Sequence, residues 1–136
     1  MPKDILEFIQ QNPICTFATT ETDQPHVRAF LSNIINNKIY FTSSTYKNVG
    51  KQILQNPKVE LCYLNSDFSK MLRITTTIIV VDDKKIKQDF IDEREYLKDF
   101  LADDPSFLLL TLSHSKARFW SLGNNMKESE IKEVLF

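Results

Sequence analysis

Between Ile14 and Thr42 the chain packs three β-prone runs with almost no room to turn. Ile14–Thr20 is rich in Thr, Phe and Ile, His26–Ile34 follows the polar turn at residues 21–25, and Lys38–Thr42 follows Asn36-Asn37. A parallel crossover needs roughly a dozen residues or more, so connections this short impose antiparallel pairing. The spacing predicts a three-strand meander.

The pattern then alternates between helix and strand. Ahead of the meander, residues 4–11 place Ile5, Leu6, Phe8 and Ile9 on one side of a short helix that stops before Pro13. After it, Tyr46, Val49 and Ile53 recur at helical spacing until Asn56-Pro57. Val59–Leu64 and Met71–Val81 read as strands. Residues 83–102 read as a charged helix with Ile86, Phe90, Ile91, Tyr96, Leu97, Phe100 and Leu101 as its apolar side, broken at Asp103-Asp104-Pro105. Phe107–Leu112 and Ala117–Leu122 read as a last hairpin about residues 113–116, and the tail from Met126 as weakly helical. The expected class is mainly β: an antiparallel barrel of six to seven strands decorated by helices, one domain over residues 1–136. The runs Ile78-Ile79-Val80-Val81 and Phe107-Leu108-Leu109-Leu110 do not alternate, so those strands need cover on both faces. Helices 83–102 or a second copy of the chain would supply it.

Gly50 and Gly123 are the only glycines, so neither a Walker A loop nor a GxGxxG fingerprint can be written. A phosphate, if held, must be held by side chains and a helix N-terminus. Net charge −1 argues against a dedicated nucleic-acid binder. The N-terminus has no uninterrupted apolar core, so no signal peptide is expected, and no apolar stretch has membrane-spanning length. Cys15 and Cys62 lack CxxC spacing and read as buried, reduced thiols of a cytoplasmic protein.

The near-neutral total hides an asymmetry. Residues 26–73 carry seven Lys/Arg against Glu60 and Asp67, a net +5, whereas residues 82–105 carry five basic and nine acidic side chains, a net −4. A basic section inside a neutral chain points to a small anion. Its sharpest cluster is Thr42-Ser43-Ser44-Thr45-Tyr46-Lys47, followed by Lys51 one turn along the same helical face. Hydroxyls, two ammonium groups and a helix N-terminus make a phosphate cradle without glycine. The alternative is an ordinary N-cap with solvated lysines. Arg28 lies mid-strand between Val27 and Ala29, where a guanidinium needs a carboxylate or a ligand anion. Arg73, between Leu72 and Ile74, raises the same question and is expected to pair with Glu60 or Asp82. His26 and His114 have no metal-site spacing, Ser113-His114-Ser115 lacks a flanked nucleophile, and Trp120 reads as core.

The runs PHVRAF (25–30), IYFTSSTYKNVGKQILQNPKVELCY (39–63), MLRITTTIIVVDD (71–83) and ADDPSFLLLTLSHSKARFWSLGN (102–124) together resemble the pyridoxamine 5′-phosphate oxidase-like family. The resemblance implies the FMN-binding split β-barrel fold and a homodimer with FMN in clefts at the subunit interface. Arg28 matches the strand arginine that contacts the FMN phosphate and ribose, while Ala29 and Phe30 would present backbone to the isoalloxazine. Thr42 and Ser43 match the strand end along the flavin; Lys47 matches the phosphate lysine, and Lys51 and Gln52 continue its helix. Met71 stands where many relatives have Trp, and Thr76 where they have Gly. The arginine-rich substrate segment of the true oxidases has no counterpart, so vitamin B6 oxidation is not expected. The implied function is an oxidoreductase passing hydride or electrons from a reduced nicotinamide to a small acceptor. The alternatives are a non-catalytic module holding FMN, haem or another planar ligand, and an OB-like nucleic-acid module.

Overall fold

The computed structural model describes residues 1–136. Helix α1 (Lys3–Gln11) buries Ile5, Phe8 and Ile9 and ends as Asn12 donates from its side chain to the Phe8 carbonyl at 2.9 Å. Strands β1 (Ile14–Glu21) and β2 (Gln24–Leu31) form a hairpin from Ile14↔Leu31 to Glu21↔Gln24. Strands β3 (Asn33–Ile35) and β4 (Lys38–Ser44) form a second. Its turn residues, Asn36 and Asn37, both take left-handed backbone angles, φ 49° and 61°. A two-residue type I′ turn requires that, and Asn tolerates it. Helix α2 (Asn48–Gln55), strands β5 (Lys58–Leu64) and β6 (Lys70–Val80), helix α3 (Lys84–Asp92), strand β7 (Phe107–Ser121) and the short β8 (Val134–Leu135) complete the fold.

Both hairpins of the expected meander form, but its middle strand is not continuous. The strands run β2-β1-β5-β6-β7-β4-β3, every neighbouring pair antiparallel, with β8 added beside β7. The run read as one strand, residues 26–34, breaks at Ser32. Its amide donates to the Pro13 carbonyl at 2.8 Å, and its hydroxyl shares a 2.8 Å hydrogen bond with the Tyr63 hydroxyl. The two pieces become opposite edges of one sheet. Edges joined through a single residue force the sheet to curl until they approach, yet β2 and β3 never pair. The fold is therefore a split β-barrel, mainly β and antiparallel, as the sequence class predicts.

The expected last hairpin is absent, because β7 runs through residues 107–121 against β6. Between the pairs Thr75↔Lys116 and Thr77↔Ser113, β6 has only Thr76 while β7 has His114 and Ser115. This is a β-bulge, with His114 at φ 52°. The polar run reads as a turn locally, but the long partner strand keeps both halves paired. Thr76 secures the bulge: its hydroxyl lies 3.0 Å from both the Ser113 carbonyl and the Ser115 hydroxyl. The helix expected over residues 83–102 ends at Asp92, and the chain continues through a 3-10 turn at Glu95–Leu97. The tail forms a 3-10 turn at Glu128–Glu130 and β8 rather than a longer helix.

The non-alternating run 107–110 has its cover within the chain. Leu108 and Leu110 join Phe17, Phe41, Leu61 and Ile74 inside the barrel, whereas Phe107 and Leu109 join Tyr40, Phe90, Ile91 and Leu97 beneath α3. The second run is covered only in part, since Ile79 is 47% exposed. Cys15 faces the interior and is buried, whereas Cys62, opposite Thr16, lies on the outer face; both thiols are free. No helix is long and apolar enough to cross a membrane.

Candidate functional site

The split leaves β2 with a strand neighbour on one side only, so alternate backbone groups along its free edge are available to a ligand. A cleft of about 440 Å³ opens there, lined by Arg28, Ala29, Phe30 and Leu31 of β2, Thr42 of β4, Lys47 and Val49 at the start of α2, and Tyr96. Its size falls in the range of small-molecule sites, roughly 300–1,000 Å³.

Arg28 is tethered but not neutralised. One terminal nitrogen donates to the Thr19 hydroxyl at 2.7 Å and to the Phe17 carbonyl at 3.2 Å, and the other donates to Gln52 Oε1 at 2.8 Å. Thr19 in turn donates to the same Gln52 oxygen at 2.7 Å, and both side chains are buried. None of the ion pairs in the molecule involves Arg28, Lys47 or Lys51. Partial burial pulls the Arg28 guanidinium below its ordinary value, although a guanidinium stays charged at any physiological pH. The protein thus fixes a cation at the cleft wall with neutral acceptors and leaves its charge unmatched. Arg73 resolves the other way: its guanidinium pairs with Glu60 on the adjacent strand, as the sequence predicts, and reaches Glu128 at 3.7 Å.

Glycine brings the second cation into place. A Cβ at Gly50 would lie 2.1 Å from the Ser44 carbonyl oxygen, so only glycine lets α2 press against the end of β4. That contact sets Lys47 at the N-cap of α2, its amide donating to the Ser44 carbonyl at 3.1 Å. The positive end of the helix and the ammonium act together on any anion in the cleft. The hydroxyl run is partly consumed locally, since Ser44 Oγ accepts from the Tyr46 amide at 3.2 Å. Ser43 shares the inward face of β4 with Phe41, and its buried hydroxyl has no partner.

Five of the sequence-predicted residues, Arg28, Ala29, Phe30, Thr42 and Lys47, meet in this cleft. Ser43 lies along a smaller chamber that adjoins it. Gln52 stands behind the cleft as the support of Arg28, and Lys51 points to solvent one turn beyond Lys47 without lining it. Two contributors escaped the sequence. Thr19 was legible in principle: alternation puts it inward with Cys15 and Phe17, where a hydroxyl needs a partner. Tyr96 carried no such signal, because its place in an apolar helical stripe suggested core, whereas the 3-10 turn holds it outward, 57% exposed. Trp120 lies away from the cleft, half-buried, and donates to Asn125 Oδ1 at 3.1 Å.

The pyridoxamine 5′-phosphate oxidase family pattern matches residues 1–121. Among solved structures, a NimC/NimA family protein from Clostridium acetobutylicum is 27% identical with a TM-score of 0.79, covering 98% of this chain and 92% of that one. A pyridoxamine 5′-phosphate oxidase-related, FMN-binding protein from Nostoc punctiforme is 15% identical with a TM-score of 0.64, covering 98% and 94%. The haem storage protein HutZ of Vibrio cholerae is 17% identical with a TM-score of 0.63, covering 81% and 87%. The last two likenesses speak for the fold alone. No curated protein matches the sequence.

Proposed function

The chain belongs to the pyridoxamine 5′-phosphate oxidase family, and from that premise we propose that it is an FMN-dependent oxidoreductase acting as a homodimer. The observation that carries the reading is Arg28, a charged group held rigidly at the cleft wall by Thr19, Gln52 and the Phe17 carbonyl with no carboxylate to neutralise it. A phosphate between Arg28 and Lys47 supplies the missing charge, and charge-assisted hydrogen bonds to an anion are the strong ones. The residues present fit a flavin phosphate: two cations and a helix N-terminus for the phosphate, and the free edge of β2 at Ala29 and Phe30 for the ring. Bound flavin supplies hydride acceptance and release, while the protein supplies position, polarity and exclusion of water. Arg28 and Lys47 hold the phosphate, Gln52 and Thr19 fix Arg28, and Phe30, packed on Phe17 at 4.8 Å and Phe41 at 5.7 Å between ring centroids, keeps the strand edge in place. No side chain in the cleft is assigned a proton-transfer role.

A second copy fits the outer face of β2, β1 and β5. Val27 is 66% exposed, Ile14 62%, Leu31 49% and Leu64 40%. Apolar side chains gathered on one sheet face mark an interaction surface, and a two-fold contact is the commonest way to cover one. Cleft and face share β2, so a partner seated there borders the flavin. The free thiols fit a reducing, cytoplasmic setting.

The test is direct. Purified protein supplied with FMN is expected to turn yellow, with a band near ~450 nm that bleaches when NADH or NADPH is added without oxygen. Yellow protein that neither nucleotide reduces would make it a binding module. Protein that takes up no FMN would overturn the flavin reading.

A further inference from the structure

Away from the flavin cleft, α3 and the β3–β4 hairpin enclose a separate cavity of about 280 Å³. Ile35, Tyr40, Ile86 and Phe90 wall it, the carboxylates of Asp89 and Glu93 border it, and it shares no residue with the cleft. Helical spacing gathers these groups. Ile86, Asp89, Phe90 and Glu93 stand three and four residues apart, so they fall on one side of α3 and its C-cap. Phe90 is buried against Tyr40, with ring centroids 5.7 Å apart, whereas the Asp89 and Glu93 side chains are 59% and 65% exposed. The cavity is therefore apolar at its base and acidic at its rim.

Tyr40 points to a ligand. It is only 8% exposed, yet its hydroxyl makes no hydrogen bond within the protein and opens into the cavity. A buried hydroxyl left without a partner is costly, and a polar group in the cavity would remove that cost. The carboxylates point to the sign of its charge. Asp89 and Glu93 occupy the C-terminal end of α3, whose last turn holds no basic residue. The helix dipole is already negative there, so the position favours a cation. Neighbouring side chains engage only half of each carboxylate. Lys85 donates to Asp89 Oδ2 at 3.2 Å and Arg94 to Glu93 Oε2 at 3.2 Å, and both cations stand outside the lining. Asp89 Oδ1 and Glu93 Oε1 have no partner.

We propose that this cavity binds a small organic monocation, a primary ammonium carried on an apolar body, of the arylalkylamine class. The body packs against Ile35, Ile86 and the Tyr40 ring. An ammonium has three donors and no acceptor, and it meets Asp89 Oδ1, Glu93 Oε1 and the Tyr40 hydroxyl. A cavity of roughly 150 Å³ already holds a benzene-sized ring, so a ring with a short arm fits. The site stands apart from the flavin and does not rest on it.

Phenethylamine, 2-phenylethanol and phenylacetate are titrated into the full chain and followed by backbone amide NMR shifts. The proteins compared are the wild type, Tyr40→Phe and the double variant Asp89→Asn with Glu93→Gln, with thermal melting to verify that each is folded. Phenethylamine is expected to bind at about a millimolar or tighter, shifting Ile35, Ile86 and Phe90 while Arg28 and Lys47 stay unmoved. It is expected to bind at least about fivefold tighter than the alcohol or the acid. The double variant is expected to erase that preference, and Tyr40→Phe, which keeps the ring, to weaken phenethylamine about three- to tenfold. Absence of shifts, or shifts confined to Arg28 and Lys47, would overturn the site. Equal or tighter binding of the alcohol or the acid would overturn the cationic class. A preference that survives the double variant in a folded protein would overturn the role of the two carboxylates. These readouts need no flavin, so a failure here leaves the FMN reading standing.

Discussion

Arg28 and Arg73 begin as the same problem: a guanidinium in the middle of an apolar strand. In the closed part of the barrel, β6 has a strand on each side. The neighbour β5 places Glu60 against Arg73, making an ion pair that needs nothing further. At the split, β2 has only β1 beside it, and β1 offers Arg28 a hydroxyl and a carbonyl but no carboxylate. The same residue type is finished where the sheet is complete and left with unmatched charge where the sheet is open. A barrel that stops short of closing creates both an open cleft and an unmatched charge at its wall.

The strongest way to break this comparison is to remove the unmatched charge. Arg28→Ala combined with Lys47→Ala deletes two charge-assisted phosphate contacts of roughly 1.5–3 kcal/mol each, so FMN affinity is expected to fall at least about a hundredfold in calorimetric titration. Unchanged affinity would mean that Arg28 is as structural as Arg73.

A second measurement asks whether the split is open only at its cleft. Cys15 lies behind it, with its thiol raised to about 11 by burial, and burial raises Tyr63 in the same direction. A raised value favours the protonated thiol in the folded state. The contribution is therefore full below about pH 9 and is lost as pH rises towards 11. Unfolding midpoints should drop across that window by an amount worth roughly 2–3 kcal/mol, and Cys15→Ala should flatten the drop. A profile identical in the two proteins would show that solvent reaches the interior behind Ser32.

The smallest effect belongs to the finished arginine. Arg73 and Glu60 are each about one-third exposed, at 32% and 36%, so screening limits their pair to about 1 kcal/mol or less. Arg73→Ala should lower stability by no more than that and leave FMN affinity within about twofold. A large loss of binding would place the outer face of β6 against the ligand and dissolve the contrast.

Local pattern carried much of the fold. The turn at Asn36-Asn37, the helix stops at Pro13 and Pro57, and the alternation along β1 and β5 are written within a few residues of where they act. Ser32 and Ser113–Lys116 were misread for one reason. A serine can interrupt a strand or lie within it, and a polar run can turn or bulge, depending on what stands opposite. Tyr63 and Pro13 hold Ser32 out of the ladder, and the length of β6 keeps β7 paired on both sides of its bulge. Neither partner is near in sequence. The candidate site divides likewise: Lys47 and Arg28 were visible as cations in the wrong surroundings, whereas Tyr96 entered only because the helix expected to bury it ends at Asp92.

By itself the sequence determined that the chain is an antiparallel β protein with helices. It also determined that the chain lacks glycine loops for a nucleotide, so that side chains and a helix N-terminus must hold any phosphate. Those properties follow from periodicity and side-chain chemistry, which are local. Only the tertiary structure decided which arginine meets a carboxylate, where the barrel stays open, and that Gly50 serves to bring α2 against β4 rather than to wrap a ligand. Those outcomes depend on which distant strands become neighbours, and the energy of pairing a charge is set by the neighbour it finds.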